Sequence, residues 1–111
     1  MTIEATKIGK AVVLKLIGRM DADTSKQFEA AWDKSLQDGS KFLIVDVSDL
    51  TYINSAGVGS FVRNGKLALE KQGALLVCGL KGFVMEIFQL TQLTKVFPVF
   101  DSTEAAIKSI S

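Results

Sequence analysis

The stretch Phe42-Leu-Ile-Val-Asp-Val47 limits this chain more than any other: five of its six residues are apolar and three are β-branched. A run of that length is a strand, and one that is apolar on both alternating faces suits a sheet covered on both sides, as parallel sheets are. Ala11–Ile17 (AVVLKLI) and Ala74–Cys78 (ALLVC) repeat the pattern. Helical spacing separates these runs. Phe28, Trp32, Ser35 and Leu36 place a helix over 24–38, opened by a Thr24-Ser-Lys-Gln27 capping box and stopped by Gly39. Val58, Phe61, Val62, Gly65 and Leu69 form the core-facing stripe of a second helix over 56–72. Phe83, Val84, Ile87, Phe88 and Thr91 mark a third helix, and Ala106, Ile107 and Ile110 a last one after the cap signal Asp101–Glu104.

Thr2–Ile8 alternates weakly as an edge strand, Gly9-Lys10 turns, and Gly18–Asp23 reads as a loop. Val96–Phe100 is a short strand whose Pro98 marks a sheet edge. The expected order is ββαβαβαβα: a single α/β domain over 1–111, with about five strands in a mostly parallel sheet and four helices.

What the chain lacks narrows its chemistry. It has no histidine, so a Ser-His-Asp triad, a Cys-His pair and a His-based zinc site are all absent. Asp46 and Asp49 around a turn are weak grounds for a metal, and Gly65-Lys66 belongs to no phosphate-binding loop. The expectation is a protein that is no enzyme and holds no cofactor. A formal charge of +1 with interspersed signs speaks against nucleic-acid binding. No apolar run reaches the ~20 residues of a membrane span, which speaks against membrane insertion. The polar start and the single Cys78, expected as a small buried hydrophobe, point to the cytoplasm.

Asp46–Gly59 (DVSDLTYINSAGVG) carries the functional signal. A buried strand ends near Val47, and Asn54-Ser-Ala-Gly57 leads straight into a helix. In an α/β sheet such loops, after the strands' carboxyl ends, meet ligands and partners. The Ser55 hydroxyl either caps the helix or accepts a phosphoryl group that the helix end tolerates. Gly57 and Gly59 serve either tight packing or the close approach of another surface. Gly59, Ser60, Arg63, Asn64 and Leu67 fall on the face opposite the core stripe, where Arg63 and Leu67 are contact candidates or ordinary solvated residues.

Asp46–Gly59, with Gly18-Arg-Met-Asp21 upstream and Val77-Cys-Gly-Leu80 and Leu93-Thr-Lys-Val-Phe97 downstream, resembles the signature of STAS domains. The likeness is to the bacterial anti-sigma factor antagonists and spans essentially the whole chain. It implies an unphosphorylated protein that binds an anti-sigma factor serine kinase and so frees a sigma factor. Phosphorylation by that kinase would end binding, and a PP2C-type phosphatase would restore it. The phosphorylated serine maps onto Ser55, and Asp21 onto an acidic position beside it. The implied partner surface comprises Asp21, Asn54, Ser55, Ala56, Gly57, Gly59, Ser60, Arg63 and Leu67. One position departs: the family's usual aspartate before the serine is Asn54 here, nearly isosteric but uncharged. The alternative within the same fold is an accessory subunit of a lipid-transport ABC transporter, binding its ATPase without phosphorylation.

Overall fold

The computed structural model describes residues 1–111. In chain order the elements are β1 (Thr2–Ile8), β2 (Ala11–Met20), α1 (Ala22–Gln37), β3 (Phe42–Ile53), α2 (Ser55–Glu70) and β4 (Ala74–Cys78), followed by α3 (Gly82–Leu90), α4 (Leu93–Val96), β5 (Val99–Phe100) and α5 (Thr103–Ser109). The five strands form one sheet in the order β1-β2-β3-β4-β5. The tight turn at Gly9-Lys10 makes β1 antiparallel to β2, and every later pair is parallel.

Because each crossover steps to the next strand in the same direction, α1 to α4 gather on one face. Their core joins Phe28, Trp32, Phe61, Ala68, Val84, Phe88 and Leu93 to the inward residues of β2, β3 and β4. Phe61 contacts Phe28 at 5.0 Å and Phe88 at 5.1 Å between ring centroids, so one side chain links three helices. On the other face α5 alone packs, with Ala106 against Ala11, Val13, Ile44, Leu76 and Cys78.

Four expectations change. The helices number five, because Leu93–Val96 forms a short turn of helix and β5 shrinks to Val99–Phe100. Pro98 holds Phe97 extended (φ −114°, ψ 139°) and so ends that helix. Gly18–Asp23 is no loop: Gly18 to Met20 belong to β2, and Ala22 and Asp23 already belong to α1. Helix α1 starts at Ala22 with Asp21 as its cap, and Thr24 is the reciprocal partner in that capping box.

The largest change is β3, which continues past Val47 to Ile53. Two register shifts against β2, each placing one extra residue on β3, carry it there. Leu43, Val45 and Val47 step by two; Leu50 and Ile53 follow by threes and still reach the core. The Thr51 hydroxyl donates to the Gly18 carbonyl at 3.0 Å across the second shift. Without these bulges the tail would run two residues further along β2, and Asn54 would not lie beside the end of that strand.

The stripe on α2 is also rotated from expectation. Phe61 and Gly65 face inward, but so do Ser60 and Asn64, while Val62 and Leu69 are exposed. The neighbouring α1 covers this face and offers Ser60 a polar partner, while the Asn64 side-chain oxygen is held by Arg63 of its own helix. Ser60 donates to Glu29, and the Trp32 indole donates to the Asn64 carbonyl at 3.1 Å. Phe61→Ala is therefore expected to cost about 3–5 kcal/mol, and Leu69→Ala no more than about 0.5 kcal/mol. Urea unfolding of both variants checks this, and comparable losses would contradict the assigned face.

Candidate functional site

The ends of β2 and β3 are register partners, Met20 with Ile53, and the Asn54 amide donates to the Met20 carbonyl at 3.1 Å. Each strand is followed by one cap residue and then a helix. The caps Asp21 of α1 and Asn54 of α2 therefore stand side by side at the carboxyl edge of the sheet.

Both caps are extended and both are occupied. Asp21 Oδ1 accepts from the Asp23 and Thr24 amides, each at 3.0 Å, and Thr24 Oγ1 accepts from the Asp21 amide at 2.8 Å. The Thr24 amide bond, aided by the Thr24 hydroxyl, the Asp23 amide and the nearby Arg19 charge, holds the Asp21 carboxyl below its ordinary range despite some desolvation. Asn54 Oδ1 accepts from the Gly57 amide at 3.2 Å. Asn54 is thus the cap, and the alternative of a capping Ser55 does not hold. Ser55 is the first helical residue, exposed, and its hydroxyl makes no hydrogen bond within the chain. An amide oxygen performs the capping as well as a carboxylate would, which is what Asn54 does in place of the family's usual aspartate.

The two glycines separate. A Cβ on Gly57 would lie 2.6 Å from Ile53 Cγ1 and 2.9 Å from Met20 Cγ, so Gly57 is buried packing that seats α2 on the strand ends. A Cβ on Gly59 would meet nothing within 4 Å, and that backbone is bare and exposed.

Of the other expected contact residues, Ala56 is half-buried beside Ser55, and Leu67 is half-buried against the core. Ser60, expected at the surface, is 2% exposed and spent on Glu29. Arg63 is half-exposed and tied to α1, donating from Nη2 to both Asp33 oxygens at 3.0 Å and from Nη1 to Asn64 Oδ1 at 2.9 Å. The surface that remains around the hydroxyl is Asp21, Asn54, Ser55, Ala56 and Gly59, with Arg63 at its side.

Elsewhere, Asp46 accepts from the Ser48 amide at 2.9 Å, and Asp49 pairs with Lys15 at 3.2 Å. Burial pushes the Cys78 thiol up, fitting its role as packing. A feature with no trace in the spacing lies three residues before Ser55. The Arg19 guanidinium sits 4.1 Å from the centroid of the Tyr52 ring, and Phe83 lies parallel to that ring at 5.7 Å.

The model of the STAS domain matches residues 2–106. The chain belongs to the STAS domain family. A Bordetella bronchiseptica protein provisionally named anti-sigma factor antagonist BtrV is 31% identical over 106 residues, covering 96% of this chain and 91% of the relative. The anti-sigma-B factor antagonist of Staphylococcus aureus is 27% identical over 104 residues, 94% of this STAS domain and 96% of that protein. Among solved structures, the anti-sigma factor antagonist SpoIIAA in its unphosphorylated form superposes with a TM-score of 0.78 at 20% identity, covering 98% and 97% of the two chains. At that identity the likeness shows the fold alone.

Two expectations follow for the site. Gly57→Ala overpacks the strand ends and is expected to destabilise by about 1–3 kcal/mol. Gly59→Ala fills open space with a better helix former and is expected to stabilise by up to about 1 kcal/mol; thermal or urea unfolding gives both signs. The second concerns acid. A carboxyl held low in the folded state contributes stability above the ordinary carboxylate range and loses it as pH falls through its lowered value. Asp21→Asn keeps a capping oxygen but not the charge. The gap in Tm between it and the parent is therefore expected to be present at neutral pH and to close in acid. A gap that persists once Asp21 is protonated would contradict the charge effect.

Proposed function

We propose that this STAS domain is an anti-sigma factor antagonist. Unphosphorylated, it binds an anti-sigma factor that is also a serine kinase, and phosphorylation of Ser55 releases it. The observation that carries this reading is the free, exposed Ser55 hydroxyl at the first position of α2, with the cap supplied next door by Asn54. The named relatives support the antagonist role. SpoIIAA, whose structure is also known in a phosphorylated form, has the same fold.

The chemistry is a simple transfer. The kinase moves the γ-phosphoryl of its ATP onto Ser55 Oγ: an O–P bond forms there, the bond to the departing ADP oxygen breaks, and the hydroxyl proton passes to a base on the kinase. The chain itself supplies no catalytic group. A phosphoserine carries about −1.5 to −2 charges. At a helix start that charge is tolerated; the first turn of α2 holds no acidic residue, and the one acidic neighbour, Asp21, has its Oδ1 engaged by the amides of α1. The fold therefore survives while the contact does not. A penalty of about 3 kcal/mol at the interface weakens binding more than a hundredfold. A PP2C-type phosphatase would reset the switch, and the cytoplasm is the setting where kinase and sigma factor meet.

The test begins with partners captured on the purified chain and identified by mass spectrometry, an anti-sigma factor being the expected prey. Incubating the pure pair with ATP should place phosphate on Ser55. Ser55→Ala should bind and take no phosphate, and Ser55→Asp should bind at least about tenfold more weakly. Phosphate on another residue, or equal affinity for all three forms, would refute the switch.

A further inference from the structure

We infer that the Arg19–Tyr52–Phe83 stack is a second arm of the same docking surface, and that it receives an acidic side chain flanked by an apolar one from the anti-sigma factor that covers Ser55. This rests on the antagonist reading and extends it to three residues that the expected partner surface did not include.

The stack is unusual for a surface. Phe83, at the start of α3, is 44% exposed, yet its ring lies within 3° of parallel to Tyr52. Arg19, also exposed, covers the Tyr52 ring at 4.1 Å. Packing of this kind pre-positions three side chains of the types enriched at protein interfaces, and it reduces the rotamer entropy lost on binding. Beside it, Ser48, Leu50, Thr51, Lys81 and Gly82 line a shallow hollow of about 500 Å³ between the tail of β3 and the start of α3.

Charge complementarity sets the chemistry of the occupant. Neither Arg19 nor Lys81 joins any of the ion pairs, which are Lys15–Asp49, Arg63–Glu29 and Arg63–Asp33. Asp49 in the same hollow is engaged by Lys15. Asp21 feels the Arg19 charge, but its Oδ1 is held by the amides of α1. Lys81 in the hollow and Arg19 over the Tyr52 ring are therefore two cations without an ion-pair partner near the exposed Phe83 ring, which suits a carboxylate next to an apolar residue. Continuity makes the occupant the regulator already at Ser55. Three residues of chain span at most about 11 Å, so Tyr52 lies within that distance of Ser55. A stable interface covers about 800 Å² per partner, a patch roughly 16 Å in radius. A partner seated over Ser55 with an ordinary footprint thus reaches the stack.

The test uses the anti-sigma factor identified by capture, purified, with Kd and rates measured against the parent and its variants at two salt concentrations. Phe83→Ala is expected to raise Kd about tenfold or more, mainly through faster dissociation. Arg19→Gln should slow association and flatten its salt dependence. Lys108→Gln, on α5 across the sheet, should match the parent. Arg19→Glu should bind poorly and regain affinity with an anti-sigma factor carrying a lysine in place of the acidic residue it presents here. Thermal unfolding confirms that each variant folds, and the exposed Arg19 variants keep the test decisive if Phe83→Ala does not. Parent-like binding by Arg19→Gln and by folded Phe83→Ala, with Ser55→Asp still weakened, would overturn this inference and leave the switch intact. An anti-sigma factor that does not bind the parent chain at all would overturn both.

Discussion

The pairing of the ends of β2 and β3 is the interaction on which the rest depends. The backbone bond from Asn54 to Met20 closes a parallel ladder whose two strands finish in register. Each then hands over to a helix through a single cap residue. The side-by-side caps follow from that register, as does the need for glycine at position 57, where α2 rests on Met20 and Ile53. Removing the bulges in β3 would break all of this at once, although neither bulge touches Ser55.

Much of this was legible in the sequence where a period was unbroken. β1, β4 and the turn at Gly9-Lys10 follow alternation and composition, and the α3 stripe follows helical spacing. β3 was legible only to Val47, because beyond it the inward residues step by three, which fits neither a strand nor a helix. The Thr24–Gln27 signal put the start of α1 too late, because the length of β2 makes Asp21 the cap. That length is set by pairing, a non-local property. The α2 face was misassigned for a related reason: Ser60 is polar, and only the arrival of α1, with Glu29, gives it a partner when buried. The place of Ser55 at the start of a helix was legible from the apolar run before it and the helical spacing after it. The Arg19–Tyr52–Phe83 stack was not, since its members come from three elements brought together only by the fold.

The seam between α1 and α2 fixes the direction in which Ser55 projects. Arg63 binds both oxygens of Asp33, the Trp32 indole meets the Asn64 carbonyl, and Phe28 packs on Phe61. The ion pairs are too exposed to add much stability. Their geometry resists rotation of one helix about the other, which apolar contact alone would permit. The Asn64 Nδ2 group is buried with no partner, and nothing in the structure accounts for it.

The uneven covering of the sheet has its own consequence. The cluster formed with α1 to α4 holds nineteen buried residues, whereas the one on the opposite face holds six, Ala106 of the seven-residue α5 among them. A helix so short has little stability of its own, so it detaches more easily than the domain unfolds. Each such opening bares Ala11, Val13, Ile44 and Leu76 across adjacent strands, a flat sticky sheet surface. That surface is thus guarded at one thin point, on the face opposite α1 and α2.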